Sequence, residues 1–436
     1  MGPDTASAAR QSWEAFFGDP NLAALIGQAL QNNQELHITQ LEIEIARQEI
    51  RARKGEYLPS VGLLGAAGLE KLPRYTVLGA SEAATQIAPG RSAPDPTPNY
   101  LAGTRASWEL DVWRKLRNAR KAASYRYLAS VEGRNFLVTN LVAEIAGTYY
   151  ELLALDNQLA LVRQNIQLQT NALASVRAQK EAARVTELAV RRFEAQVLKT
   201  RSLQYDIQQR IVMAENRLNF LAGRYPQPIA RTTQAFNQAA SDSVAVGLPA
   251  QLLVNRPDVR QAEAELAAAK LDVRVARARF LPLVSVDGLM GLQAFQLSYF
   301  FTAPESIVLS LAGGISAPLI NRNALYAGFY SADARQQQAI VRYERTVLNA
   351  YLEVANQQAL ARNLSQSYAL RSRQVEALTE SGAIANNLFN AARADYVEVL
   401  LTQRDALESS FELVETRLQQ LEARVSLYRA LGGGWR

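Results

Sequence analysis

Cysteine is absent from the 436 residues, and histidine occurs once, at His37. The first absence excludes disulfides, thiolate catalysis and cysteine-bound metal. The second leaves no histidine cluster for a metal centre or a nucleophile–base relay. On a helix with no His or Cys partner, His37 reads as an ordinary surface or packing residue. Methionine is scarce, at three residues, so a soft-metal pathway has no visible ligands. No phosphate-binding loop stands out, because Gly432-Gly433-Gly434 follows a helix at the end of the sequence and reads as a helix stop. Neither an enzyme nor a cofactor is expected. No apolar run approaches the length of a transmembrane helix. The opening Met1-Gly2-Pro3-Asp4 lacks the apolar core of a signal peptide, although a chain whose signal had been removed would read the same way. Basic residues are not interleaved with aromatics in any recognition module, so no nucleic-acid partner is expected.

Proline is missing from two long stretches, between Pro98 and Pro226 and again after Pro318. In the first, Leu, Ala, Gln, Arg and Glu dominate, the residues that lose least on entering a helix. Leu137, Leu141, Ile145, Tyr149, Leu152, Leu159, Val162 and Ile166 recur at helical spacing. With one turn near Ala183, the first arm has roughly 67 residues and a length of about 100 Å at 1.5 Å per residue.

The pattern occurs twice. Ala182-Ala183-Arg184 is answered by Ala391-Ala392-Arg393, Leu218 by Leu427, Gly223 by Gly432, and Leu58-Pro59 by Leu281-Pro282. Ahead of each long helix the period falls toward two. Tyr100, Ala102, Thr104, Ala106, Trp108, Leu110 and Val112 lie on one side, with Asn99, Leu101, Gly103, Arg105, Ser107, Glu109 and Asp111 on the other, more polar one. Further strands are expected at about 59–70, 282–294 and 305–318. Leu72 to Pro98 reads as a long exposed loop, and the matching second loop is shorter and carries Phe295, Tyr299, Phe300 and Phe301. Asp258, with Gln261 three residues on, is a candidate cap for the helix that follows Pro257.

The chain thus divides into an N-terminal arm (1–20), helices (21–57 and 258–280), strand hairpins (58–112 and 281–318) and long helical hairpins (113–223 and 319–431). A linker (224–257) joins the repeats and a short tail (432–436) ends the sequence. Four strands cannot close a barrel, which needs about eight. Strands with one apolar face resemble transmembrane barrel strands, and lipid tolerates no open sheet edge. Several chains sharing one barrel is the economical solution.

Leu248-Pro249, Leu252-Leu253, Arg256-Pro257-Asp258 and Ala262-Glu263 resemble a run found in TolC-type outer-membrane efflux proteins. Trp108-Glu109-Leu110-Asp111, Ala278-Arg279-Phe280-Leu281-Pro282 and Tyr428-Arg429-Ala430-Leu431-Gly432-Gly433-Gly434-Trp435 are similar to further signatures of that family. The resemblance covers the chain from about Trp13 to Trp435. It implies a mainly α protein with a long coiled-coil barrel and four transmembrane strands per chain. A homotrimer would form a 12-stranded barrel in the Gram-negative outer membrane, with helices extending into the periplasm. It implies an exit duct that passively conducts small molecules such as drugs from an inner-membrane pump and a periplasmic adaptor. Alternatives are a type I secretion duct for peptides or proteins, and a soluble coiled-coil scaffold. Members that are lipid-anchored use an N-terminal cysteine, which this sequence lacks.

The resemblance also implies a gate where the distal turns fall. One acidic position of the family's ring falls on Glu398, the next on Leu401, and the first-hairpin equivalent on Ala189, so the ring is incomplete here. Charge suggests a second device. Between Ser175 and Arg201 basic residues prevail, among them Arg184, Arg191 and Arg192. Between Gln374 and Glu412 acidic residues prevail, among them Asp395, Glu398 and Asp405, with Arg393 and Arg404 as the basic exceptions. Attraction between a basic and an acidic hairpin end, within or between protomers, would hold the mouth closed. The plainer reading, that these charges simply solvate helices, is preferred. Trp108, Trp113 and Tyr100 are candidates for the membrane interface, and the loop aromatics for loop packing or closure. Arg114, Lys115, Arg117, Arg120 and Lys121 either meet lipid headgroups or solvate a helix start.

Overall fold

The computed structural model describes residues 11–88, 90–232, 236, 255–391 and 393–435. Residues 1–10 of the arm, most of the linker including Leu248-Pro249 and Leu252-Leu253, Ala392 and Arg436 lie outside the described residues. In chain order the elements are α1 (Trp13–Phe17), α2 (Pro20–Asn32), α3 (Gln34–Glu56), β1 (Ser60–Glu70), α4 (Val77–Ala84), β2 (Gln86–Ala88), β3 (Arg91–Ser92), β4 (Thr97–Glu109), α5 (Lys115–Glu181) and α6 (Glu187–Leu221). The second copy follows with α7 (Pro257–Ala278), β5 (Leu283–Ala294), β6 (Ile307–Ser316), α8 (Asn323–Asn390) and α9 (Tyr396–Ala430). The doubling holds to within one residue: α5 and α8 have 67 and 68 residues, and α6 and α9 have 35 each.

The stretch expected to be one long loop is partly ordered. Thr76 caps α4, its hydroxyl accepting from the Gly79 N–H at 3.2 Å, and a small hairpin of β2 and β3 follows. The Val77–Ala84 segment is rich in alanine, and a Thr cap suffices to start it. Asp258 does not cap α7 in the expected way. Pro257 already holds the first helical position, and the Asp258 carboxylate instead binds the Arg256 guanidinium at 2.7 Å.

The chain forms two compact units, each assembled from both copies. The first comprises residues 1–43, 129–263 and 342–436. Its core gathers Leu22, Ile26, Ile145, Tyr149, Leu152, Leu153, Leu218 and Leu421, all fully or almost fully buried. The second comprises residues 44–128 and 264–341 and contains the four-stranded sheet β1-β4-β5-β6, antiparallel throughout.

In the first unit both copies end their helices by one device. Gly223 (φ 66) and Gly432 (φ 86) take left-handed backbone after α6 and α9. Arg224 N–H donates to Asn219 C=O and Gly433 N–H to Tyr428 C=O, each at 3.0 Å, in the bonding pattern of a glycine-terminated helix. A Cβ would collide with the Asn32 carbonyl at Gly223 and with the Asn255 carbonyl at Gly432. The neighbouring carbonyls are satisfied in parallel: Asn33 Nδ2 donates to Leu221 C=O at 2.9 Å, and Arg256 Nη1 to Ala430 C=O at 2.8 Å. Asn33 and Arg256 are different residues performing one task in the two copies.

Candidate functional site

The sheet has two unlike faces. Paired residues share a face, so the register puts Val61, Leu63, Leu69, Tyr100, Trp108, Val286, Met290, Leu292, Ile307, Leu309, Leu311 and Ile315 together. The opposite face is more polar: it carries Asn99, Arg105, Ser107, Glu109, Ser285, Asp287 and Gln293 among Leu64, Leu101, Leu289 and Val308, with Arg105 and Asp287 3.8 Å apart as an ion pair. Most of the apolar side chains on the first face are bare: Leu63 is 91% exposed, Leu311 80% and Ile315 76%. So large an apolar patch marks a membrane or protein contact. The strands have 10 to 13 residues, against the roughly 9–11 that a tilted transmembrane strand needs. β1 and β6 are the outer strands of the sheet, so among the described residues one edge of each has no strand beside it.

Trp108 and Trp113 sit at the strand-to-helix joint. Each is partly exposed, and each donates its indole N–H to a backbone carbonyl, Trp108 to Tyr57 at 3.0 Å and Trp113 to Pro282 at 2.7 Å. Tyr100 stands on the face of Trp108, roughly 27 Å along the strand at about 3.4 Å per residue. That is comparable to the apolar band of about 25 Å on transmembrane barrels. Asp111, buried, accepts from the N–H groups of Leu116 and Arg117 at 2.9 Å and so caps α5. Lys115 pairs with Glu109 at 2.5 Å and Arg117 with Asp111 at 3.1 Å. These two cations therefore serve the joint, a role that composition alone did not reveal. At the far ends of the strands Phe295 packs against Tyr299 and Phe300 against Phe301, edge to face at 5.7 and 5.2 Å. Arg91 of the first loop donates to Tyr299 Oη at 3.4 Å.

Below the more polar face, the joint forms an open cavity of about 980 Å³. Ser60, Ser107 and Glu109 line it from the strands, Arg53 and Glu56 from α3, Lys115 and Arg126 from α5, Asp272 from α7, Arg279 from the turn after α7, and Arg335 from α8. Arg126 pairs with Asp272, whose carboxyl is pushed above the usual carboxylate range by burial against the pull of Arg126, Arg335 and Arg53.

The distal turns belong to the first unit. Ala183 is left-handed (φ 56), and Arg184 N–H donates to Gln179 C=O at 2.9 Å. Arg393 N–H donates to Leu388 C=O at 2.8 Å in the second copy. Asp395 caps α9, its carboxylate accepting from Val397 N–H at 3.1 Å. Glu398 is exposed on the first turn of that helix, and Asp405 pairs with Arg404 at 3.0 Å. The basic residues of the first hairpin are engaged within it. Arg191 binds Glu187 at 2.8 Å and Glu194 at 3.0 Å, Arg177 binds Glu194 at 3.7 Å, and Lys180 binds Glu187. Within one protomer the hairpin ends meet through apolar contact instead. Val176, Ala189, Val190 and Phe193 cluster with Ala385 and Val399, and Phe389 and Tyr396 pack against them. This corrects the charge-pair reading for the intramolecular case: desolvated side chains, not opposite charges, join the two ends. Ala189 is fully buried there, which leaves no room for a carboxylate.

Antiparallel strands, apolar on one face and more polar on the other, each hairpin leading into a very long helix, define a β-barrel membrane protein with a helical extension. The model of the family described as outer membrane efflux protein matches residues 25–224 and 248–433. The cation efflux system protein CusC of Escherichia coli O6:H1 is 28% identical over 424 residues, covering 97% of this chain and 88% of the relative. The solvent efflux pump outer membrane protein SrpC of Pseudomonas putida is 29% identical over 422 residues, covering 96% and 87%. The open-state crystal structure of the MtrE outer membrane channel of Neisseria gonorrhoeae superposes with a TM-score of 0.86 at 25% identity, covering 100% of this chain and 94% of that one. The chain belongs to the outer membrane efflux protein family.

Proposed function

We propose that three copies of this chain assemble into the exit duct of a tripartite efflux system, receiving cargo from an inner-membrane pump through a periplasmic adaptor. The two-faced sheet with open edges at β1 and β6 carries this reading. A lone sheet in lipid would leave two rows of backbone N–H and C=O groups unpaired, each costing several kcal/mol. Pairing β1 of one copy with β6 of the next removes both rows, and three copies give twelve strands. Lipid then meets Leu63, Leu309, Leu311 and Ile315, while Arg105, Asp287 and Gln293 face the water-filled bore. Trp108, Trp113 and Tyr100 mark the two levels of the membrane interface, and Phe295, Tyr299, Phe300 and Phe301 pack the outer loops. Conduction is passive, and no residue acts as a catalyst.

The hairpin ends form the gate. Among the described residues Arg184, Arg192 and Arg393 make no ion pair, so their charge is available to a neighbouring copy, and so is that of Glu398. Asp395 is partly occupied as a cap, and Arg191 and Asp405 by their partners. Exposed pairs contribute about 0–1 kcal/mol each, which keeps closure reversible. Cargo is a small organic molecule: the sequence has no thiol, and Met290 stands on the lipid side. Expression in an efflux-deficient Gram-negative strain tests the reading. Fractionation with the outer membrane, a detergent-stable trimer and restored tolerance to at least one organic toxicant are expected. A detergent-independent monomer would contradict it and favour a scaffold.

A further inference from the structure

We infer that the cavity beneath the polar sheet face is a transit site for organic anions, which deepens the duct reading and rests on it. Its charged lining comprises five cations (Arg53, Lys115, Arg126, Arg279 and Arg335) and three carboxylates. Each carboxylate is already taken: Glu56 by Arg53 at 2.9 Å, Glu109 by Lys115 at 2.5 Å, and Asp272 by Arg126. Arg279 and Arg335 remain. Among the described residues neither has a carboxylate within ion-pair distance, and both are exposed. Two guanidiniums therefore line the cavity without an ion pair among the described residues, Arg335 acting on Asp272 only from beyond that distance, and a guanidinium matches a carboxylate, sulfonate or phosphate in two-pronged fashion. The remaining walls are small, with Gly55, Ser107, Ala327, Gly328 and Ser331 among them. About 980 Å³ lies at the upper end of the range for small-molecule sites. The site continues the polar face through Ser60, Ser107 and Glu109, so an anion bound here lies on the route along that face.

The two arginines come from the turn just after α7 and from the first part of α8, which the strand hairpin of the second copy separates in sequence. Their exposure keeps the interaction weak, as transit requires: an occupant must leave as readily as it enters. Neutral molecules gain nothing from the site and pass it unheld.

The test uses the purified full-length protein in planar lipid bilayers, with trimesate, a flat tricarboxylate, added as blocker and its neutral trimethyl ester as control. Trimesate should reduce the conductance of the wild-type channel, and the ester should not. In the double variant Arg279→Gln/Arg335→Gln the apparent blocking constant should weaken about tenfold, whereas Arg279→Lys/Arg335→Lys should retain most of the block. Equal block in the wild type and the Gln variant would overturn the site, as would an open wild-type channel that trimesate leaves untouched. Equilibrium dialysis of trimesate against the wild-type protein in detergent gives a reading independent of the variants, and no retention at low salt would likewise overturn it. A wild-type protein that inserts but forms no channel would contradict the duct itself, an outcome distinguishable from a conducting channel without anion block.

Discussion

Ala183 occupies a position that chemistry reserves for glycine. At φ 56 it closes α5 with the same bonding pattern that Gly223 and Gly432 use for α6 and α9. Left-handed backbone costs an L-residue about 1 kcal/mol. Ala183→Gly should therefore stabilise the first hairpin end by up to about 1 kcal/mol, read as slower hydrogen exchange around residues 176–193. Gly223→Ala should do the reverse more strongly, because strain adds to the collision with the Asn32 carbonyl. Burial sets a second residue-scale prediction. Tyr150, 4% exposed, has its phenol pushed up to about 12 by desolvation, opposed by Arg424 and reinforced by Asp19. The unfolded chain ionises near 10, so the contribution is intact below that and is lost as pH rises from about 10 to about 12. Up to about 2–3 kcal/mol is at stake. Thermal stability should fall across that window, and Tyr150→Phe should make the fall shallower. The parallel ends at Gly223 and Gly432 were legible in the sequence because glycine is the same letter in both copies. The matching work of Asn33 and Arg256 was not, since an amide and a guanidinium share only their donors.

At the scale of elements, period was the informative signal. Alternation placed Trp108 and Tyr100 on one strand face and Arg105 on the other, and the cross-strand register bears this out. It follows that Leu311→Lys and Ser310→Lys, one residue apart, should differ in sign of consequence. The first puts an ammonium toward lipid and should cost about 2–4 kcal/mol near mid-membrane, read as lost outer-membrane yield. The second would point into the bore of the proposed barrel and should be tolerated, with altered ion selectivity. Charge counting was less informative than period. It found a basic and an acidic hairpin but not that Glu187 and Glu194 already engage Arg191, Arg177 and Lys180. The contact that joins the hairpins is apolar and centred on Phe193, 1% exposed. Apolar residues at helical spacing look alike whether they pack within a hairpin or between two. Phe193→Ala, at about 3–5 kcal/mol for a buried aromatic, should loosen the mouth and raise single-channel conductance. Arg184→Glu with Arg192→Glu should raise it less, through weak pairs between copies. Unchanged conductance in both variants would remove the gate from the hairpin ends.

At the scale of the whole molecule, four strands are a wall that one chain cannot close by itself. The internal repeat supplies two hairpins and leaves β1 and β6 as the outer strands. Because the chain has no cysteine, an introduced pair reports on that edge without interference. The most direct measurement is oxidative cross-linking in outer membranes of variants carrying Gly65→Cys on β1 and, in turn, Leu309→Cys, Leu311→Cys, Gly313→Cys or Ile315→Cys on the same face of β6. A ring of three predicts bonds between chains for one or two of these partners, with covalent dimers and trimers and nothing larger. Bonds formed only within a chain, or a ladder running past the trimer, would contradict it.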